Sequence, residues 1–345
     1  MIWKIRPAAD FANLRNQWQT LNAEGMASPL LDADFVAPLL REFGTGKEVL
    51  AYCEHAGQMQ AMTILTSTRR GVWETFQPSQ APIGIWLQRP ELDVKPLLSS
   101  LLRKLPGFPL VAGLTQQDPQ LLRRPQDHGA IRTLDYIQTA KISLNGSFDE
   151  YWDARGKNLK QNMKKQRNKL DKEGVELRLH IATSPEEVAG AIADFGKLES
   201  AGWKNAIGTA VHADNAQGRF YTSMLEAFCA RGAGQIYRYF YNDQVAAMDL
   251  CIEGNGTIIV LKTAYDENIK DGSSPAFLLR QEELKQLFDS GTLQTVEFYG
   301  KVMEWHRKWT EEIRTVYHVN YYRFALLPRL YESIKKLAPV PAQTE

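Results

Sequence analysis

Two spacings of apolar residues alternate along the chain. In VAAMDLCI, residues 245–252, Ala246, Met248, Leu250 and Ile252 fall on one face and Val245, Ala247, Asp249 and Cys251 on the other, the two-residue period of a strand. Residues 258–261 form a short continuous apolar run, also read as a strand. Helical spacing appears elsewhere. Leu159, Met163 and Leu170 lie on one stripe, and Val188, Ile192 and Phe195 on another that ends near Glu199. Ser184 and Glu187 suit a helix start as a capping box, and Gly174 suits a helix end.

The same order of elements occurs twice. EHAGQMQAMTIL, from Glu54, and YFYNDQVAAMDL, from Tyr239, share Gln58, Ala61 and Met62 with Gln244, Ala247 and Met248. Around each hairpin the pattern reads β-α-α-β-β-β-α-β with a final strand. The expectation is two diverged copies of one unit. Residues 1–145 form the first and 175–330 the second. A basic connecting helix, 146–174, lies between them, and a tail, 331–345, follows. At 345 residues the chain is long enough for two domains.

Composition changes this picture little. The net charge is +1, so the whole chain is not built to coat nucleic acid, and any anion site is local. Cys53, Cys229 and Cys251 read as buried thiols of a reducing compartment. No apolar run reaches membrane-spanning length and the start lacks a signal-peptide core, so a cytoplasmic protein without a transmembrane segment is expected. None of the six histidines has zinc-ligand spacing with another histidine or a cysteine, and no metal site is expected.

Two stretches invite anions. The connecting helix carries Arg155, Lys157, Lys160, Lys164, Lys165, Arg167, Lys169 and Lys172. It reads either as a solvated connector or as a surface for a nucleotide phosphate, tRNA, an acidic glycan or anionic lipid. It lacks the interleaved aromatics of single-strand binders. The second stretch, KDGSSPA at 270–276, joins a strand to a helix. Gly272 frees the backbone, Ser273 and Ser274 offer hydroxyls, and Pro275 suits the first helical position. Such a turn either cradles a diphosphate at the helix start or caps a helix that binds nothing.

These stretches resemble a known family. NLKQNMKKQRNKLDKEG, LESAGWKNAIGTA, AYDENIKDGSSPAFLL and VEFYGKVMEWHRKWT are similar to the acyl-CoA N-acyltransferase (GNAT) superfamily, in its CelD-like cellulose-biosynthesis branch, related to the FemAB-like tandem-domain transferases. The similarity covers roughly residues 145–325. One departure is Ala276, where the family usually has glycine. The resemblance implies an α/β (α+β) fold of tandem GNAT-like mixed-sheet domains with helices on both faces, the first degenerate and the second binding acyl-CoA. It implies acyl-CoA, acetyl or longer, as co-substrate. Pantetheine would lie along the strand near Lys262 and Thr263, and diphosphate at Lys270, Gly272, Ser273, Ser274, Pro275 and Ala276. The acceptor would be a small molecule or glycan: a sugar, a polysaccharide precursor or an amine metabolite. Two alternatives stay open, an aminoacyl-tRNA-dependent FemAB-like transferase and a non-catalytic accessory of polysaccharide biosynthesis.

Acyl transfer to an amine needs a proton acceptor and a stabilised oxyanion. Asp249, among small apolar side chains, is a candidate base or half of a structural salt bridge. Glu297 is a candidate base bordering the thioester or a solvent-facing edge carboxylate, with Tyr299 on its face to protonate the leaving thiolate. Glu199 is a third candidate base or a helix-terminal group with its head in water. Trp203 and Lys204 are placed to wall the acceptor pocket. Trp305, His306 and Lys308, with Trp309, read as an acceptor-lining cluster or as an aromatic plug over the core.

Overall fold

The computed structural model describes residues 2–201, 211–212, 214–269 and 273–328. In chain order its elements are β1 (Ile2–Pro7), α1 (Arg15–Glu24), α2 (Ala33–Phe43), β2 (Val49–His55), β3 (Gln58–Arg69), β4 (Val72–Thr75), β5 (Trp86–Gln88), α3 (Val94–Leu102), β6 (Val111–Gln117), β7 (Ile131–Ser143), α4 (Phe148–Asp153) and α5 (Lys157–Lys172). Then come β8 (Leu177–Ala182), α6 (Pro185–Ala201), α7 (Ala216–Cys229), β9 (Gly234–Tyr241), β10 (Gln244–Gly254), β11 (Thr257–Tyr265), α8 (Pro275–Ser290), β12 (Thr295–Phe298), α9 (Glu304–Trp309) and β13 (Ile313–Tyr322). The fold is a mixed α/β one. Among the described residues no helix is long and apolar enough to cross a membrane.

The chain forms two compact units, and they are interleaved rather than consecutive. Unit one takes the described residues up to Ala33, Gly44–Ile137 and those from Thr315; unit two takes Asp34–Phe43 and Gln138–Arg314. These bounds differ from a cut at 145 and 175. Most of α2, from the first half of the chain, belongs to unit two, and most of β13 belongs to unit one. Helix α5 lies inside unit two and buries Leu159, Met163 and Leu170 in its core, because its apolar stripe needs a partner. The helix ends at Lys172, and Gly174 comes two residues later with a φ of +68°, a conformation glycine adopts without strain. Residues 331–345 lie outside the described residues.

Unit one has the strand order β1-β2-β3-β4-β6-β13, with β5 also paired to β3, and unit two has β7-β12-β11-β10-β9-β8. Among the described residues each unit has one parallel pair, β4 with β6 and β11 with β12. The two hairpins match at a constant separation along the chain. Strand β3 opens at Gln58 and β10 at Gln244. Ala61 faces Cys53 and Met62 faces Tyr52; Ala247 faces Tyr239 and Met248 faces Arg238. Gln60 and Ala246 are each skipped in the register, a bulge at the corresponding place.

In unit two the sheet is covered on both faces. On one, Leu278, Leu279, Leu284 and Leu287 of α8 join the α5 stripe over Ala247, Cys251, Ile258 and Val260. On the other lie α6, burying Val188, Ile192 and Phe195, and α7, burying Phe220, Met224 and Phe228. Helix α2 packs against α7. The Phe220 ring meets those of Phe35 and Phe43 at 5.5 and 5.7 Å, and Arg219 pairs with Glu42 at 2.8 Å.

Candidate active site

Strands β11 and β12 pair in parallel from Thr257 with Thr295 to Ile259 with Glu297. Strand β12 then ends at Phe298, while β11 runs on to Tyr265. Within β11 the register against β10 slips by one residue: Cys251 faces Val260, but Leu250 faces Lys262, so Leu261 is bulged. The bulge turns the following side chains over. Val260 packs on the α8 side; simple alternation would send Lys262 the same way. Instead Lys262 points towards α6 and α7, and Thr263 towards α8.

There Lys262 meets Glu199. Its Nζ lies 3.1 Å from Oε1 and 3.2 Å from Oε2 of the carboxylate, and 3.5 Å from Oε1 of Gln217 on α7. The Phe195 and Tyr221 rings flank the ammonium at 5.8 and 5.6 Å. Glu199 is 4% exposed and also accepts the Val211 N–H at 2.8 Å. Glu199 is thus a buried, ion-paired carboxylate, not a group with its head in water. Lys262, expected through its backbone, contributes its side chain. Burial and the nearby Glu199 charge push the Tyr221 hydroxyl above the ordinary tyrosine range. Gln217 and Tyr221 were not singled out from the sequence. Trp203 and Lys204 lie outside the described residues.

Glu297 is also buried, at 4% exposure, and pairs with Arg314 of β13 at 2.8 Å. A solvent-facing edge is therefore corrected. Val296 and Phe298 belong to the core on the α8 side, so Glu297 faces the opposite side of the sheet, the face that Lys262 also takes. Tyr299 is half-buried, with the Arg314 guanidinium 5.3 Å from its ring. Trp305 and His306 stack at 3.5 Å between centroids, and both rings lie against Phe298. His306 is buried and accepts the Met303 N–H at 2.9 Å; burial pushes its pKa down to about 4. Trp309 is a core residue and Lys308 is exposed, its Nζ 5.4 Å from the Phe277 ring. His306 and Trp309 thus have the plug geometry, not that of an open acceptor wall.

Asp249 is fully buried on the α8 side. Its carboxylate pairs with Arg280 at 2.8 Å and accepts the Thr263 hydroxyl. Arg280 also binds Glu283, and its guanidinium lies 4.8 Å from the Phe298 ring. This is the salt-bridge geometry of the two readings given for Asp249: the carboxylate sits on the face opposite Glu199 and Lys262, covered by α8. Arg280 and Glu283 were missed. Their only signal is an Arg–Glu pair three apart among the leucines of α8, which looks like an ordinary surface pair.

One cation among two carboxylates leaves a proton to be held. Desolvation is the main cause that pushes Glu283 up to about 8, with the Asp249 charge adding to it and Arg280 opposing. A carboxyl whose folded pKa is raised stabilises fully below its unfolded value near 4.5 and loses that stabilisation as pH rises through about 8. His306 acts in the opposite sense: its share is present above the unfolded 6.5 and is lost as pH falls towards 4. Between about pH 6.5 and 8 the Glu283 effect is therefore isolated from that of His306. Urea unfolding across that window should show stability falling by about 1 kcal/mol per pH unit. Glu283→Gln should remove the fall; an equally steep decline in that variant would assign it to another group.

The start of α8 holds the serine turn. Ser274 is the N-cap and Pro275 opens the helix. The Ser274 N–H donates to Oε1 of Gln166 on α5 at 2.7 Å, and the Tyr241 hydroxyl donates to Ser273 Oγ at 3.2 Å. Ala276 is in the first turn of α8. Lys270 and Gly272 lie outside the described residues. Helix α5 thus touches this turn directly, a contact its basic composition did not suggest.

A strand pair that parts beyond three residues, a bulge in the longer strand and a helix beginning at a serine turn together form one arrangement. Residues 157–307 match the family model of the acetyltransferase (GNAT) domain. The match begins at the first residue of α5 and so includes the basic helix. Folds resembling the whole chain are known at low identity. The C-terminal domain of a putative lysylphosphatidylglycerol synthetase from Agrobacterium fabrum is 13% identical, with a TM-score of 0.57 over 94% of this chain and 96% of that one. L-PGS from Bacillus licheniformis is 12% identical, with a TM-score of 0.54 over 93% and 95%. FemX is 9% identical, with a TM-score of 0.55 over 93% and 98%. A comparison with curated proteins finds no match.

Proposed function

We propose that the chain is an acyl-CoA-dependent N-acyltransferase working in unit two, acting on a sugar, a polysaccharide precursor or an amine metabolite. The carrying observation is that β11 outruns β12 beyond Ile259 and bulges at Leu261, beside the Glu199–Lys262 pair. Beyond Ile259 the pairing of β11 with β12 ends, and this length of strand suits pantetheine, an extended amide-bearing chain that needs backbone partners. The start of α8 suits a diphosphate, since helical N–H groups and partial positive charge converge there. To meet it, Ser274 N–H would exchange Gln166 for phosphate.

In this reading the acceptor amine approaches from the α6–α7 side. Glu199 takes the amine proton as nitrogen attacks the thioester carbon, and Lys262 donates to the oxygen that gains charge. The C–S bond then breaks and the thiolate receives a proton, for which Tyr299 is the proposed donor. Glu297, held by Arg314, orients this edge. Trp305 and Lys308 remain proposed acceptor contacts at the rim. The matching hairpins and bulges support the view that the two halves arose from one duplicated unit, the first having lost the cofactor site. The basic face of α5, beside the serine turn, supports a second reading in which the acyl donor is an aminoacyl-tRNA.

Acetyl-CoA or a longer acyl-CoA is expected to raise the melting temperature, because a ligand bound only to the folded state stabilises it. Ser274→Asp, which adds negative charge at the proposed phosphate position, should abolish the rise. A rise with aminoacyl-tRNA and none with any acyl-CoA would favour the second reading. No rise with either would point to an accessory protein that keeps the fold.

A further inference from the structure

We infer that the first unit carries the same cofactor slot already filled by its own chain, so that one acyl-CoA binds per molecule. In unit one, β4 and β6 pair in parallel over three positions, from Val72 with Val111 to Glu74 with Gly113, as β11 and β12 do. Along β3 the partner strand then changes. Leu65 faces Thr75 of β4 and Thr63 faces Trp86 of β5, whereas the corresponding Cys251 and Asp249 face Val260 and Thr263 of the single strand β11. Strands β4 and β5 together therefore take the place of β11. Where unit two bulges at Leu261, unit one makes an excursion through residues 76–85.

That excursion bridges the parted strands. The Gly84 N–H donates to the Thr115 carbonyl of β6 at 3.1 Å, and Gln117 Nε2 donates to the Gly84 carbonyl at 3.1 Å. On the other side the Thr63 hydroxyl donates to the Ile85 carbonyl at 2.6 Å. Ile83 and Ile85 are buried. The chain's own backbone at Gly84 and Ile85 thus occupies the slot proposed for pantetheine in unit two, held by one backbone–backbone hydrogen bond and two from side chains. The position demands glycine: a Cβ on Gly84 would run into the Thr115 carbonyl and lie 2.7 Å from the Thr115 hydroxyl. At the start of α3, the counterpart of α8, Asp93 is the N-cap, and its carboxylate accepts the Lys95 N–H at 2.9 Å. A cleft of ≈ 660 Å³ opens there, lined by Lys95, Arg123 and Arg124 as well as Glu91 and Asp93; what sets it apart from the start of α8 is that the Asp93 carboxylate itself caps the helix where a diphosphate would sit.

This inference rests on the acyl-CoA reading of unit two for the identity of the ligand. Equilibrium dialysis of the full chain with acetyl-CoA is expected to give one bound equivalent, and none in Ser274→Asp. Amide hydrogen exchange should find Gly84 slow both with and without acetyl-CoA. Gly84→Ala should speed exchange at Ile83 and Ile85, since the added carbon has no room. A second equivalent, binding that survives Ser274→Asp, or a Gly84 amide exchanging like an open loop overturns the inference. No binding together with a slow Gly84 amide instead overturns the acyl-CoA reading and supports the filled slot.

Discussion

Glu199→Gln is expected to lower turnover by about 10²–10⁴-fold, the usual contribution of one general base. Gln keeps the shape and an oxygen for the Val211 N–H, so the local fold should hold. It removes the charge that Lys262 faces at 3.1 Å and the site for the acceptor's proton. Acyl-CoA binding should persist, because the proposed cofactor contacts lie along β11 and the start of α8. The measurement is single-turnover thioester cleavage with a panel of amine acceptors, alongside the acyl-CoA melting shift. A full rate with an unchanged shift would leave proton transfer to Glu297 or to positioning without a protein base. Lys262→Met should also slow the reaction. Loss of both rate and shift in that variant would make the lysine a cofactor contact rather than an oxyanion donor.

The fold was more legible in the sequence than the site. Periods of two and 3.6 residues report burial, and burial decides where strands and helices lie. Alternation in 245–252 therefore placed Ala247, Asp249 and Cys251 on one face correctly. The order of elements in each half emerged in the same way, apart from β5 in the first and α9 in the second. Pairing across elements carries no such period. Nothing near Asp249 announced that Arg280, on a helix far along the chain, would close over it. The bulge at Leu261 was invisible for a related reason. A register slip is set by the neighbouring strand, so simple counting points Lys262 to the wrong side of the sheet. Glu199 was found because its stripe ends against the core, but its partner was hidden by that slip. The interleaving of units was hidden too, since α2 looks like any amphipathic helix until α7 supplies its partners.

Arg280→Met is the substitution with the largest expected cost in stability. Arg280 is 3% exposed and balances two carboxylates, Asp249 and Glu283, that have no access to solvent. Removing one partner of a buried pair leaves charge without compensation and typically costs about 3–5 kcal/mol. The methionine fills similar volume, so little of that loss would be a cavity. Neutralising the whole cluster, Arg280→Met with Asp249→Asn and Glu283→Gln, should recover most of it, because uncharged groups of similar shape avoid the desolvation cost. Urea unfolding of the single and triple variants measures both. The network also joins Thr263 on β11 to α8 through Asp249 and Arg280, the two elements that would hold pantetheine and diphosphate. Asp249→Asn should therefore weaken acyl-CoA binding through the spacing of these elements and lower stability together with it. A variant of wild-type stability with a turnover defect alone would return Asp249 to the chemistry.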